Sequence, residues 1–127
     1  MVFKLDQKSK DELRQHWEHL VRLIFPPEAE IQSAEADDGF CFRVAWRLGE
    51  SESFTENWSR EIDIVIPRET IDAYLHQGDK GRSIADGNLV SLIELRKSTF
   101  HPEHDTPRYH VPPTEEWRVK PEDLIPG

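Results

Sequence analysis

The sequence predicts an α+β domain from three observations: a helical apolar spacing that stops at a proline pair, two short segments of strict apolar alternation, and renewed helical spacing after Pro67. The helices flank a compact block of strands. That order predicts an antiparallel sheet of three strands, about 29–36, 40–48 and 60–66, preceded by one helix and followed by two.

The first helix is expected over about 10–24, because Leu13, Trp17, Leu20, Val21 and Ile24 recur at helical spacing behind Ser9-Lys10-Asp11-Glu12, which reads as a capping box. Pro26 and Pro27 end it. From 40 to 48, Phe40, Phe42, Val44, Trp46 and Leu48 alternate with Cys41, Arg43 and Arg47, so the segment reads as a half-buried strand. Asp37-Asp38-Gly39 supplies the turn that makes 29–36 its hairpin partner. In the third strand Ile62, Ile64 and Ile66 share one face, and Glu61 and Asp63 face the other, where they would meet Arg43 and Arg47 across the ladder.

Pro67 suits the first turn of a helix over about 68–77, with Ile71, Tyr74 and Leu75 as its stripe and Gly78 as its end. After the polar Gly-Asp-Lys-Gly-Arg turn, Ser83 and Asp86 offer a second cap. Leu89, Leu92, Ile93 and Phe100 then predict a helix over about 85–98, with a strand as the alternative because of Gly87 and Leu89-Val90. Six of the nine prolines follow residue 100, so 1–100 is read as one domain and 101–127 as an extended tail, partly docked or disordered. Trp117, Val119, Leu124 and Ile125 favour an arm laid over the core.

The order helix, three strands, helix resembles that of double-stranded RNA-binding domains. Those domains need lysines where the helix after the third strand begins, and here Pro67-Arg68-Glu69-Thr70-Ile71-Asp72 has one base and two acids. A formal net charge of −9 opposes phosphate backbones and anionic lipid in the same way, so neither nucleic acid nor membrane is the expected partner. No apolar run reaches signal-peptide or membrane-span length, and the single cysteine, Cys41, allows no internal disulfide. A cytoplasmic location is the expectation. The sequon Asn57-Trp58-Ser59 then has no secretory context.

Residues 26–63 hold ten acids against Arg43, Arg47 and Arg60, which concentrates the negative charge. The sequence therefore predicts a small non-enzymatic interaction or regulatory protein without a cofactor, docking a basic partner surface through Glu50, Glu52, Phe54, Glu56 and Trp58. The alternative is a small enzyme or metal-binding protein built on His101, His104 and His110, which fall close together with Glu103 and Asp105 between them. Self-association through the exposed sheet face or the tail is a third reading. Two further groups carry candidate chemistry: Glu12, His16 and His19 along one helix flank, and Cys41, whose thiol a neighbouring Arg43 would make more acidic. Neither fits a recognised catalytic spacing.

Overall fold

A computed structural model describes residues 7–36, 39–47, 59–100 and 114–125. The element order is α1 (Gln7–Ile24), β1 (Glu30–Ala36), β2 (Gly39–Ala45), β3 (Glu61–Pro67), α2 (Arg68–Leu75), α3 (Asp79–Thr99), β4 (Thr114–Arg118) and α4 (Pro121–Leu124). The chain is thus α+β.

The sheet has four strands in the order β1-β2-β3-β4, and its last pair is parallel, which corrects the expected three-stranded antiparallel sheet. β4 pairs with β3 from Glu61↔Thr114 to Val65↔Arg118. Its sequence, Thr-Glu-Glu-Trp-Arg, gives no alternation signal of its own. Burial of Trp117 and Val119, at 3% and 1% exposure, and the Val119 N–H bond to the Val65 carbonyl at 2.9 Å hold it there instead.

Alternation along the strands sorts the sheet into two faces. Ile31, Phe40, Phe42, Val44, Ile62, Ile64, Ile66 and Trp117 fill the inner face, where they pack with Leu13, Trp17, Val21 and Ile24 of α1 and Ala85, Leu89 and Ile93 of α3. Glu30, Gln32, Ala34, Cys41, Arg43, Asp63, Glu116 and Arg118 form the outer face, which is exposed or half-exposed among the described residues. The expected ladder pair is present: Arg43 stands opposite Asp63 and donates to both its carboxylate oxygens, from Nε at 2.8 Å and Nη2 at 3.0 Å.

Several boundaries move for identifiable reasons. α1 is already helical at Gln7, so Ser9 lies inside the helix and the Ser9–Glu12 capping box does not form its start. Side-chain bonds secure the first turn instead: within the helix Gln7 donates to Asp11, and across to β1 Gln7 and Lys10 donate to Glu35, Lys10 Nζ to Oε1 at 3.1 Å. α3 begins at Asp79 rather than 85, taking the polar Gly-Asp-Lys-Gly-Arg run into its first turn through Arg82 N–H to Gly78 O at 2.9 Å. The strand alternative for this stretch is therefore overturned, and Ser83 and Asp86 are mid-helix. β2 ends at Ala45, short of the expected 48, because Trp46 leaves the ladder to bond Ser59.

Gly39 shows why the hairpin needs glycine. Its φ is +147°, and a Cβ there would stand 2.1 Å from the Ile66 carbonyl oxygen of the neighbouring strand.

Candidate functional site

The residues expected to bind a partner, Glu50, Glu52, Phe54, Glu56 and Trp58, lie outside the described residues, as do His101, His104 and His110. Their flanking residues are described and meet at one end of the sheet. β2 ends there at Ala45, followed by Trp46, and β3 begins there at Glu61, preceded by Ser59 and Arg60; because β4 runs parallel to β3, Thr114 also starts there, beside Glu61. The Ser59 N–H donates to the Trp46 carbonyl at 2.7 Å and the Trp46 N–H to Ser59 Oγ at 3.0 Å, which clamps the base of the 48–58 connection. Phe100, where α3 ends, stands 5.9 Å from Trp46 between ring centroids.

An aromatic cluster underlies this end. Phe25 stacks on Trp117 at 6.4 Å and tilts against Trp46 at 5.5 Å, and Phe100 meets Trp117 edge-on at 5.7 Å. Two cations seal it. Arg60, only 5% exposed, places its guanidinium 4.8 Å from the Phe100 ring centroid and 3.5 Å from Glu115 Oε2. Lys97 donates to the Ile24 carbonyl at 2.7 Å and lies 5.6 Å from the Phe25 ring centroid.

Glu35 lies toward the Ala36–Gly39 end of the β1–β2 hairpin and Glu30 at the other, because Glu30 pairs with Ala45 and Ala36 with Gly39. Five steps of strand separate the two by about 17 Å. Some of the charge is also answered within the fold. Glu35 bonds Gln7 and Lys10, which hold its carboxyl below the usual range, and Arg43 lies 3.3 Å from Glu61 as well as bonding Asp63. Those carboxylates keep Arg43 more firmly protonated than an isolated arginine.

The second constellation joins three helices. Asp86, in mid-α3, stands with Oδ2 2.8 Å from His16 Nε2 and accepts from Trp17 Nε1 through Oδ1 at 3.4 Å, and Trp17 meets the Tyr74 ring of α2 edge-on at 5.0 Å. Burial, and then the Asp86 charge, push the Tyr74 phenol up to about 12. Arg82, one turn before Asp86, donates from Nη2 to the Leu75 carbonyl at 3.0 Å and lies 5.9 Å from the Tyr74 ring centroid. The sequence carried no signal of this convergence, because Trp17 and Asp86 are separated by 69 positions and Asp86 resembled a helix cap.

The remaining sequence candidates separate. His16 turns to Asp86, and Glu12 and His19 are exposed on the same helix. Among the described residues, no group of three His, Cys, Asp or Glu side chains is placed to hold a metal ion. Cys41 does lie beside Arg43 on the outer face, yet its thiol is pushed up, first by burial and next by Asp63, against the smaller opposing pull of Arg43. That direction is opposite to the acidification expected from Arg43 alone. No helix among the described residues is long and apolar enough to cross a membrane.

Comparison with known proteins adds no relative: no family model, no curated protein and no solved structure matches this chain.

Proposed function

We propose that the protein is a small non-enzymatic interaction or regulatory protein that docks a basic partner surface through Glu50, Glu52, Phe54, Glu56 and Trp58. The observation that carries this reading is the clamped base of the connection holding those residues, in which Trp46 and Ser59 exchange two hydrogen bonds above a packed aromatic cluster. A functional segment on a rigid base can present its side chains at a defined end of the domain. Glu30, at the same end of the sheet, adds negative charge near that base. Electrostatics then sets the rate of encounter, and the two aromatic residues anchor the contact.

The test is affinity capture at low and high salt with wild type and with the triple variant Glu50→Lys, Glu52→Lys, Glu56→Lys. A basic protein held by wild type at low salt, released at high salt and not captured by the triple variant supports the reading. Equal capture by both proteins overturns it.

A further inference from the structure

We propose that the outer edge of β1 receives an extended basic segment of a partner protein, which adds to the sheet as a further strand. The proposal rests on the reading of the chain as an acidic interaction protein and specifies a mode of recognition for it.

Among the described residues β1 is an edge strand of seven residues, paired with β2 in continuous register and free of proline. The direction of its backbone groups follows from β2. The Val119 N–H bonds the Val65 carbonyl on the β4 side, so Ile62, Ile64 and Ile66 turn theirs to Val44, Phe42 and Phe40, and the alternate residues Cys41, Arg43 and Ala45 direct theirs toward β1. Their partners Ala34, Gln32 and Glu30 are thereby satisfied. Ile31, Ser33 and Glu35 are left with N–H and C=O turned outward, the pattern that an added strand needs.

Charge selects the occupant. Glu28 and Glu30 stand at one end of β1, and no Lys or Arg occurs between 28 and 36; Glu35, toward the other end, is already bonded by Lys10 and Gln7. Pairing with a second copy of β1 would set carboxylates against carboxylates, whereas a basic strand is attracted. The opposite edge differs: β4 has five residues, includes Arg118 beside Glu116, and is followed by Lys120. Side-chain alternation adds a pattern. A strand beside β1 places one set of residues along Glu30, Gln32 and Ala34 on the outer face, and the other along Ile31 and Ser33 on the inner face. The fitting segment therefore alternates basic with apolar residues.

The experiment titrates the whole protein, at low salt, with two synthetic peptides of equal charge, one alternating Lys and Val and the other alternating Lys and Pro, which has no N–H at every second position. The expected result is binding of the Lys-Val peptide at least about tenfold tighter than the Lys-Pro peptide, with slower amide exchange at Ile31, Ser33 and Glu35. Ser33→Pro removes one outward N–H without touching the β2 ladder and should abolish the difference. If it fails to fold by circular dichroism, the double variant Glu28→Lys, Glu30→Lys serves instead and should weaken Lys-Val binding several-fold. Equal binding of the two peptides, lost on reversal of Glu50, Glu52 and Glu56, overturns the edge proposal and leaves the acidic surface standing. Binding of neither peptide overturns the edge proposal, and so does slow exchange of those three amides in the free protein.

Discussion

Asp86 Oδ2 lies 2.8 Å from His16 Nε2, seventy positions away in the chain, and the same carboxylate receives the Trp17 indole N–H. One side chain of α3 thus ties down two residues of α1, and Trp17 carries the contact on to the Tyr74 ring of α2. Replacing Asp86 by Ala leaves the part-buried indole N–H without that acceptor. The expected loss is about 1–3 kcal/mol of stability, read from denaturant unfolding.

Tyr74 gives the junction a spectroscopic signature. With Tyr109→Phe as background, ultraviolet titration should show the remaining phenol ionising near 12 and, after Asp86→Asn, at a lower pH, because the negative charge is gone while the burial remains. The sign for stability follows. The folded-state value lies above the unfolded value of about 10, so this contribution is complete below pH 10 and is lost as pH rises toward 12. Unfolding curves across that window should show stability falling, with a smaller slope in Asp86→Asn.

Gly39→Ala should be among the most damaging single substitutions in the domain. The new Cβ would overlap the Ile66 carbonyl oxygen at a positive φ, and the expected cost is at least about 2 kcal/mol. A Gly39→Ala midpoint in urea equal to that of wild type would contradict the described hairpin.

Cys41 should alkylate slowly near neutral pH, since burial and Asp63 hold its thiol protonated. Asp63→Asn is expected to speed the reaction and Arg43→Gln to slow it, measured as the pH dependence of the alkylation rate. Arg43→Gln should cost under about 1 kcal/mol in stability despite its two-pronged bond to Asp63, because the pair is open to solvent.

Trp117→Ala should cost about 3–5 kcal/mol, the range for emptying a packed aromatic site, since Trp117 is buried against Phe25 and Phe100. A near-neutral effect in thermal unfolding would mean that β4 is not part of the cooperative unit.

The strongly periodic elements are legible in the amino-acid order alone. Leu13, Trp17, Val21 and Ile24, and likewise Phe40, Phe42, Val44 and Ile62, Ile64, Ile66, carry their burial in local spacing, and their elements lie where the pattern puts them. Weaker segments are decided by their neighbours. The glycines and charges of 78–82 suggest a turn, but the helix extends through them as part of the element that packs Ala85, Leu89 and Ile93. The candidate site is legible only as a set of residue types: Arg43 opposite Asp63 follows from strand alternation, and the meeting of His16, Trp17, Tyr74 and Asp86 follows from no local pattern.

The sequence by itself determined the α+β class, the first helix, the hairpin and the third strand, because hydrophobic periodicity is a local property that burial reads directly. Only the tertiary structure decided that Thr114–Arg118 becomes a fourth, parallel strand and that Asp86 of α3 meets His16 and Trp17 of α1 beside Tyr74 of α2. Each of these depends on contacts between residues distant in the chain. Such contacts are selected by shape, charge and unpaired backbone groups after the local elements exist, and they leave no period in the sequence for a reader to find.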